Sequence, residues 1–187
     1  MARFCTAFEG TRLIATGDLR EVAAEAKTVI DRGTLASILI FDDTTSEPIE
    51  VDFRGTPADV QQRLEPAENP RRPGRPKLGV VAREVTLLPR HWDWLNSQPG
   101  GASVALRKLV EDARRTYVGR DRLRHAQESA YRFLSVMAGN EPGFEEGIRA
   151  LFAGNRRRFD EMAALWPHDV AQHAKKVSAA AFPEGVE

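Results

Sequence analysis

The residues best placed to do chemistry are the cations of a short proline-rich run near the middle of the chain. The run Arg71–Lys77 reads RRPGRPK. An extended Gly-Arg-Pro core flanked by cations fits the narrow minor groove of A·T-rich DNA, where the negative electrostatic potential is deepest. We therefore predict contacts to the minor groove and to phosphates from Arg71, Arg72, Arg75 and Lys77.

This run resembles an AT-hook, a short DNA-binding motif built around Gly-Arg-Pro. The usual motif has arginine directly before the glycine, whereas here Pro73 stands in that place and the arginine has moved to Arg72. The alternative is a stiff linker, because residues 66–79 combine prolines, glycines and charges without any periodic apolar set. The sequence leaves both interpretations open.

A strand and two helices are predicted directly after this run, within residues 80–118. Arg83–Leu88 has the composition of a strand, Pro89–Ser97 that of a short helix, and Ser103 to about Val118 that of a second helix. The second helix places several apolar residues on one face: Leu106, Leu109, Val110, Ala113 and Tyr117.

Residues 82–116 resemble the ribbon-helix-helix family of bacterial DNA-binding proteins. The likeness rests on Leu88-Pro89 at the strand-to-helix step and on Gly100-Gly-Ala-Ser103 at the start of the second helix. It implies a homodimer whose paired strands enter the major groove, with the helix start at Ser103 holding a phosphate. The alternative is an ordinary strand-turn-helix unit that packs within one chain.

The expected DNA contacts are mainly to phosphates. If Val85 and Leu87 face the core, then Glu84, Thr86 and Leu88 face the bases, and these residue types read bases poorly. We therefore expect a weakly specific transcriptional regulator or nucleoid-associated protein that prefers A·T-rich duplex. Further phosphate contacts are predicted along the second helix from Arg107, Lys108, Arg114 and Arg115.

The main alternative is a non-catalytic adaptor that binds another protein. Trp92 and Trp94 lie close together on the first helix, and tryptophans at this spacing are typical of cores and interfaces. In this interpretation Trp92 and Trp94 form the interface, and the cationic block docks on an acidic partner.

The remaining titratable residues do not form a catalytic or metal-binding pattern. His91 and Asp93 are two positions apart on a helix and point away from each other. His168 and His173 are five apart, which favours partly exposed helix residues over a metal site. Asp42-Asp43 is typical of a solvated turn. We expect a protein that is not an enzyme and uses no cofactor or metal.

Length and composition indicate an ordinary globular protein. The chain has 187 residues, 27 basic and 27 acidic, and 42% are hydrophobic. Its charge is unevenly distributed, with a net charge of −5 over residues 1–66, +7 over 67–124 and −2 over 125–187. No apolar run is long enough to span a membrane, and we expect a cytoplasmic protein.

These residues must be positioned by an α+β fold. Short strands and helices predict a small ββαββα domain over residues 1–65, whose last strand is 49–53 and whose last helix begins with Thr56-Pro57. The Pro/Arg-rich linker of residues 66–79 and the ribbon-helix-helix-like unit of 80–118 follow. The region 119–187 is predicted to be all helix, from four apolar stripes that begin at Leu123.

At the level of the whole chain, the sequence is similar to an uncharacterised family of bacterial proteins. The stretches that carry this resemblance include Pro70–Gly79, Val85–Leu95, Arg149–Gly154 and Trp166-Pro167. The resemblance implies a bacterial, cytoplasmic origin, and it brings no activity or catalytic residue with it.

Overall fold

The N-terminal hairpin forms where alternating apolar residues predict it. The computed structural model describes residues 3–65, 79 and 81–182. Strand β1 (Phe4–Glu9) pairs antiparallel with β2 (Arg12–Asp18) around a turn in which Gly10 has a φ of 57°. Glycine adopts this left-handed conformation without steric cost. Strand β3 (Ile38–Asp42) pairs with the other edge of β1, which gives the order β2-β1-β3.

Helix α1 (Leu19–Asp31) packs against this sheet. Asp18 caps the helix, because its side chain accepts a hydrogen bond at 3.0 Å from the backbone N–H two residues further on. Val22 and Ala26 are buried and form a small core with Cys5 of the sheet.

The predicted fourth strand, residues 49–53, is wrong. Only a single bridge joins Pro48 to Phe41, and its two hydrogen bonds, from Ile49 N to Ile40 O at 2.7 Å and from Asp42 N to Glu47 O at 3.0 Å, are not followed by a ladder along residues 50–53. Asp52 accepts hydrogen bonds from the backbone and side chain of Arg54, which turns the chain locally instead of extending it. The apolar side chains of residues 49–53 still pack on the small core. The alternating pattern therefore predicted which side chains face the core, although no strand forms. The N-terminal order is ββαβα.

Helix α2 (Pro57–Arg63) begins as the sequence predicts. The Thr56 side chain accepts a hydrogen bond from Asp59 N at 3.2 Å, and Asp59 Oδ2 accepts one from Thr56 N at 2.8 Å. This reciprocal capping box satisfies two backbone donors at the helix start.

The sheet shares its main core with the C-terminal helices. Phe8 and Phe41 lie 5.6 Å and 5.2 Å from Phe133, measured between ring centroids. The four predicted stripes form helices, and the last of them ends in a short 3-10 turn, Ala179–Ala181. These helices are the second half of α4 (Gly101–Met137), α5 (Phe144–Phe152), α6 (Arg156–Ala163) and α7 (His168–Ser178).

The chain divides into two compact units. The first joins Met1–Pro66 with Arg120–Glu187, and the second is Ala67–Gly119. Within the described part of the second unit lie α3 (Pro89–Ser97) and the first half of α4. Helix α3 has the predicted bounds, with proline at the first helical position, where a missing N–H costs nothing.

Helix α4 is longer than predicted. The sequence predicted one helix that ends near residue 118 and another that begins near residue 123, whereas the structure has one continuous helix. Gly119 weakens a helix without ending it, and an ion pair between Arg124 and Asp121 at 2.9 Å supports the next turn. Although α4 has 37 residues, neither it nor any other described helix is apolar enough over a sufficient length to cross a membrane.

The predicted strand Arg83–Leu88 does not form in the single chain. Residues 81–88, all of them described, have no ladder partner, and most of their side chains are exposed. An extended segment becomes a strand only beside a hydrogen-bonding neighbour. All strands assigned in the described residues belong to the N-terminal sheet. The α+β class is confirmed, with helices alone after the sheet in the residues that the structure describes.

Candidate nucleic-acid interface

The first half of α4 carries a cationic surface. Positions 107, 111 and 114 are spaced four and three residues apart, which places them on the same side of the helix. Positions 108 and 115 lie next to this row, so the five positions form one surface. The four basic side chains at these positions are exposed. We call this surface the basic face, and it consists of Arg107, Lys108, Arg114 and Arg115, with Glu111 among them.

The contacts within the basic face are weak ones. Arg114 Nη1 lies 3.2 Å from Glu111 Oε2, and Arg115 Nε lies 3.6 Å from Glu111 Oε1. Both arginine side chains are about three-quarters exposed, at 74% and 75%. Ion pairs this exposed stabilise a protein by about 0–1 kcal/mol. A phosphate could therefore replace Glu111 as their partner at little cost.

Ser103 lies in the first turn of α4 and is exposed. Its backbone carbonyl accepts a hydrogen bond from Arg107 Nε at 3.1 Å, which holds that guanidinium along the helix. The predicted phosphate contact at Ser103 stays a prediction.

The proline-rich segment and the base-facing positions stay predictions as well. Glu84, Thr86 and Leu88 are exposed, but they belong to no strand of the single chain. The four cations predicted to enter the minor groove lie outside the described residues: Arg71, Arg72, Arg75 and Lys77.

The two tryptophans of α3 differ in their surroundings. Trp92 is half-buried, whereas Trp94 is 51% exposed. Trp94 lines an open groove of about 280 Å³ between α3 and α4. We call this the α3–α4 groove, and its lining is Leu87, His91, Trp94, Leu95, Leu106 and Leu109. The sequence predicted the apolar face of the second helix but not that this face stays open.

A polar network lies between the sheet and α7. Thr6 Oγ1 donates a hydrogen bond to Asp43 Oδ1 at 2.5 Å and lies 3.1 Å from Thr16 Oγ1. Lys176 Nζ donates to Asp43 Oδ2 at 2.7 Å. Asp43 is only 15% exposed, so the prediction of a solvated turn is wrong here. Its partners are 37 and 133 positions away, beyond any local sequence signal.

Asp42 has a structural role in the same turn. It accepts hydrogen bonds from the backbone N–H groups of Thr44 and Thr45 at 2.9 Å and 3.0 Å, and one from Arg3 Nε at 2.8 Å. Across the residues that the structure describes, no three His, Cys, Asp or Glu side chains are grouped so as to hold a metal ion.

His173 is buried, contrary to the prediction of a partly exposed residue. Its ring lies 5.5 Å from that of Phe8 and 4.5 Å from that of Phe133. Nε2 is buried without a hydrogen-bond partner in the described structure. Burial lowers the pKa of His173 to about 4, and the charge of nearby Asp43 offsets only part of this effect. His168, on the same helix, is exposed as predicted.

Cys5 is completely buried in the small core beside the polar network. Burial raises the pKa of its thiol to about 12, and the negative charges of Asp43 and Asp18 act in the same direction. The thiolate form is therefore negligible at neutral pH.

Comparison with known proteins finds one family that matches the chain. The family described as an uncharacterized protein conserved in bacteria (DUF2239) matches residues 4–178. This match confirms the whole-chain resemblance found in the sequence. No curated protein and no solved structure matches the chain.

Proposed function

The chain belongs to the DUF2239 family of proteins conserved in bacteria, and we propose that its middle third binds DNA mainly through phosphates. The observation that carries this proposal is the basic face of α4, with four exposed cations within nine residues. The protein then acts as a transcriptional regulator or as a nucleoid-associated protein.

The dimensions of the basic face suit a duplex. A helix rises about 1.5 Å per residue, so the face extends about 12 Å along α4. A duplex carries one phosphate charge per ~1.7 Å of its axis, so several phosphates lie within reach of a surface of this length. The net charge of +7 over residues 67–124 favours the approach of such a polyanion.

Sequence preference in this proposal comes from DNA shape. The exposed residues before α3 include Glu84 and Thr86, which lack the bidentate donors that read guanine. The Gly-Arg-Pro segment supplies a preference for A·T-rich minor grooves through Arg72, Arg75 and Lys77, with Arg71 beside them. Binding is therefore weakly specific.

A salt titration of binding to a fluorescently labelled duplex tests this function. Each neutralised phosphate contributes about −0.9 to the slope of log affinity against log salt. The full chain is expected to give a slope near −4 or steeper. Replacing Arg114 and Arg115 together with alanine is expected to flatten this slope by about 1.8.

Arg149→Ala is a control on α5 that is matched to the single variant Arg114→Ala, which is expected to flatten the slope by about 0.9. Arg149 is 75% exposed and pairs with Glu146, three positions earlier, at 2.8 Å, as Arg114 pairs with Glu111. The control is expected to keep the full slope. Equal flattening in the control would show that the effect is not located on α4. Absence of binding at about 50 mM salt, where electrostatic association is strongest, would contradict DNA binding itself.

One observation favours a second candidate function, the non-catalytic adaptor. The α3–α4 groove is apolar and Trp94 stands half-exposed at its edge, an arrangement typical of protein interfaces. In this alternative the basic face docks on an acidic protein. Binding of an acidic polypeptide such as polyglutamate, without binding to duplex, would favour the adaptor.

A further inference from the structure

A second groove lies in the first unit, between an edge strand of the sheet and α1. Strand β2 is at the edge because the sheet order is β2-β1-β3. The groove has a volume of about 310 Å³, and we call it the α1–β2 groove. Its lining combines apolar and charged side chains, and it includes Arg12, Leu13 and Ile14 of β2 and Glu25, Val29 and Arg32 of α1.

The charged residues of this groove are separated along its length. The chain passes directly from β2 into α1 at Asp18, so the strand and the helix run in opposite directions. Arg12 lies six residues before this point and Arg32 fourteen residues after it, which is about 20 Å along each element. The two arginines are therefore at the same end of the groove. Glu25 is seven residues before Arg32 on α1, so it lies about 10 Å nearer the other end.

These charges are available to a ligand. Arg32 and Glu25 are exposed, and neither forms an ion pair with another residue that the structure describes. Arg12 is held in place by Glu9, whose Oε2 accepts hydrogen bonds from Nε at 3.1 Å and from Nη2. A guanidinium has five N–H donors, so Arg12 can bind a second anion while this pair persists.

Strand β2 is irregular where it lines the groove. The register with β1 shifts between Ala7 and Phe8, so that Ile14 has no partner residue in β1. Bulges of this kind are frequent beside active sites, because they redirect side chains. The neighbouring backbone is fixed, since Leu13 N donates a hydrogen bond to Asp169 Oδ2 at 2.8 Å. The wall of the groove is therefore formed before any ligand binds.

We propose that the α1–β2 groove binds a short linear zwitterion, a peptide of about three residues, with its carboxylate at Arg12 and Arg32 and its ammonium group at Glu25. An extended peptide advances about 3.3 Å per residue, so three residues span about 10 Å. This length equals the separation of the anionic and cationic ends. Ile14 and Val29 offer apolar contacts to the side chains between the two charges.

The charge pattern favours this ligand over two others. The charges of a single amino acid are too close together to reach both ends of the groove. A polyanion such as DNA would bring negative charge against Glu25, which is unfavourable. The proposal does not depend on DNA binding, because it concerns the other unit of the chain.

Isothermal titration calorimetry of trialanine into the full chain tests this site. Trialanine is expected to bind at one site per chain. Trialanine amide lacks the carboxylate and N-acetyltrialanine lacks the ammonium group, and each is expected to bind about tenfold more weakly. Alanine alone is expected to lose at least as much affinity. These analogues test the proposal on the unaltered chain.

Variants assign each charge to its end of the groove. Arg32→Gln is expected to weaken trialanine binding about tenfold and to leave binding of the amide unchanged. Glu25→Gln is expected to weaken trialanine binding similarly and to leave binding of N-acetyltrialanine unchanged. Arg20→Gln is the matched control, because Arg20 is also an exposed arginine of α1 but is not part of the groove lining, and it is expected to bind as the wild type does.

Three results would overturn the proposal. The first is the absence of saturable binding up to about 10 mM trialanine. The second is equal affinity for trialanine and its two analogues. The third is binding of inorganic phosphate as tight as that of trialanine and equally dependent on Arg32, which would indicate a general anion site instead of a peptide site.

Discussion

The imidazole of His173 is a polar group enclosed by aromatic rings. Its Nε2 is buried without a hydrogen-bond partner in the described structure, and Asp43 and Lys176 are the charged groups that influence it. An unfolded histidine titrates near pH 6.5, whereas this one has a pKa of about 4. The folded chain therefore does not take up the proton that the unfolded chain accepts below pH 6.5.

We expect the free energy of unfolding to fall as the pH is lowered from 6.5 to 4. Above pH 6.5 His173 is neutral in both states and does not affect the free energy of unfolding. Below pH 6.5 protonation stabilises the unfolded state relative to the folded state by up to about 3 kcal/mol. Urea unfolding of His173→Phe at several pH values should show a flatter pH dependence than the wild type. The exposed His168→Gln should follow the wild type, and the same slope in all three chains would refute this role of His173.

At the scale of elements, α4 shows where sequence patterns are informative and where they are not. The apolar spacing of Leu106–Val110 and of residues after Leu123 identified both halves as helix. Nothing local distinguishes a helix that continues through Gly119 from one that stops there, because a glycine can do either. The exposure of the apolar face was also not predicted, because the periodicity shows which face of a helix is apolar but not which residues cover it.

Two glycines inside helices should respond to alanine in opposite ways. At Gly119 a Cβ would meet no atom within 4 Å, so Gly119→Ala should stabilise the chain by about 0.5–1 kcal/mol through lower backbone entropy in the unfolded state. At Gly147 a Cβ would lie 2.9 Å from Trp166 Cζ2, so Gly147→Ala should destabilise it by about 1–3 kcal/mol. Urea midpoints measure both, and a stabilising Gly147→Ala would contradict this packing.

At the scale of the whole molecule, local signals predicted more than long-range ones. The hairpin, the cap at Thr56 and the C-terminal helices all depend on residues close in sequence. The failed strands at 49–53 and 83–88 depend on a pairing partner, which no local pattern specifies. The Asp43 network was not predicted for the same reason, because the partners of Asp43 are distant in the sequence. The basic face was predicted because charge and helical spacing are both local properties.

The proline-rich segment carries a prediction of its own. Replacing Arg72, Arg75 and Lys77 with alanine should flatten the salt slope of DNA binding by about 3 and remove the preference for A·T-rich duplex. Thermal unfolding is expected to stay unchanged, because the sequence predicts this segment to be a linker without packing. A variant that loses affinity equally for A·T-rich and G·C-rich duplexes would show that these cations act only as phosphate contacts.

The burial of Cys5 makes the native chain inert to thiol chemistry. Cys5 is the one cysteine in the sequence, and maleimides and iodoacetamide react with the thiolate, which burial suppresses here. A cysteine introduced at an exposed position such as Thr116 would then be the only site of alkylation in the folded protein. A fluorophore or spin label could be attached to α4 alone without first removing the native cysteine.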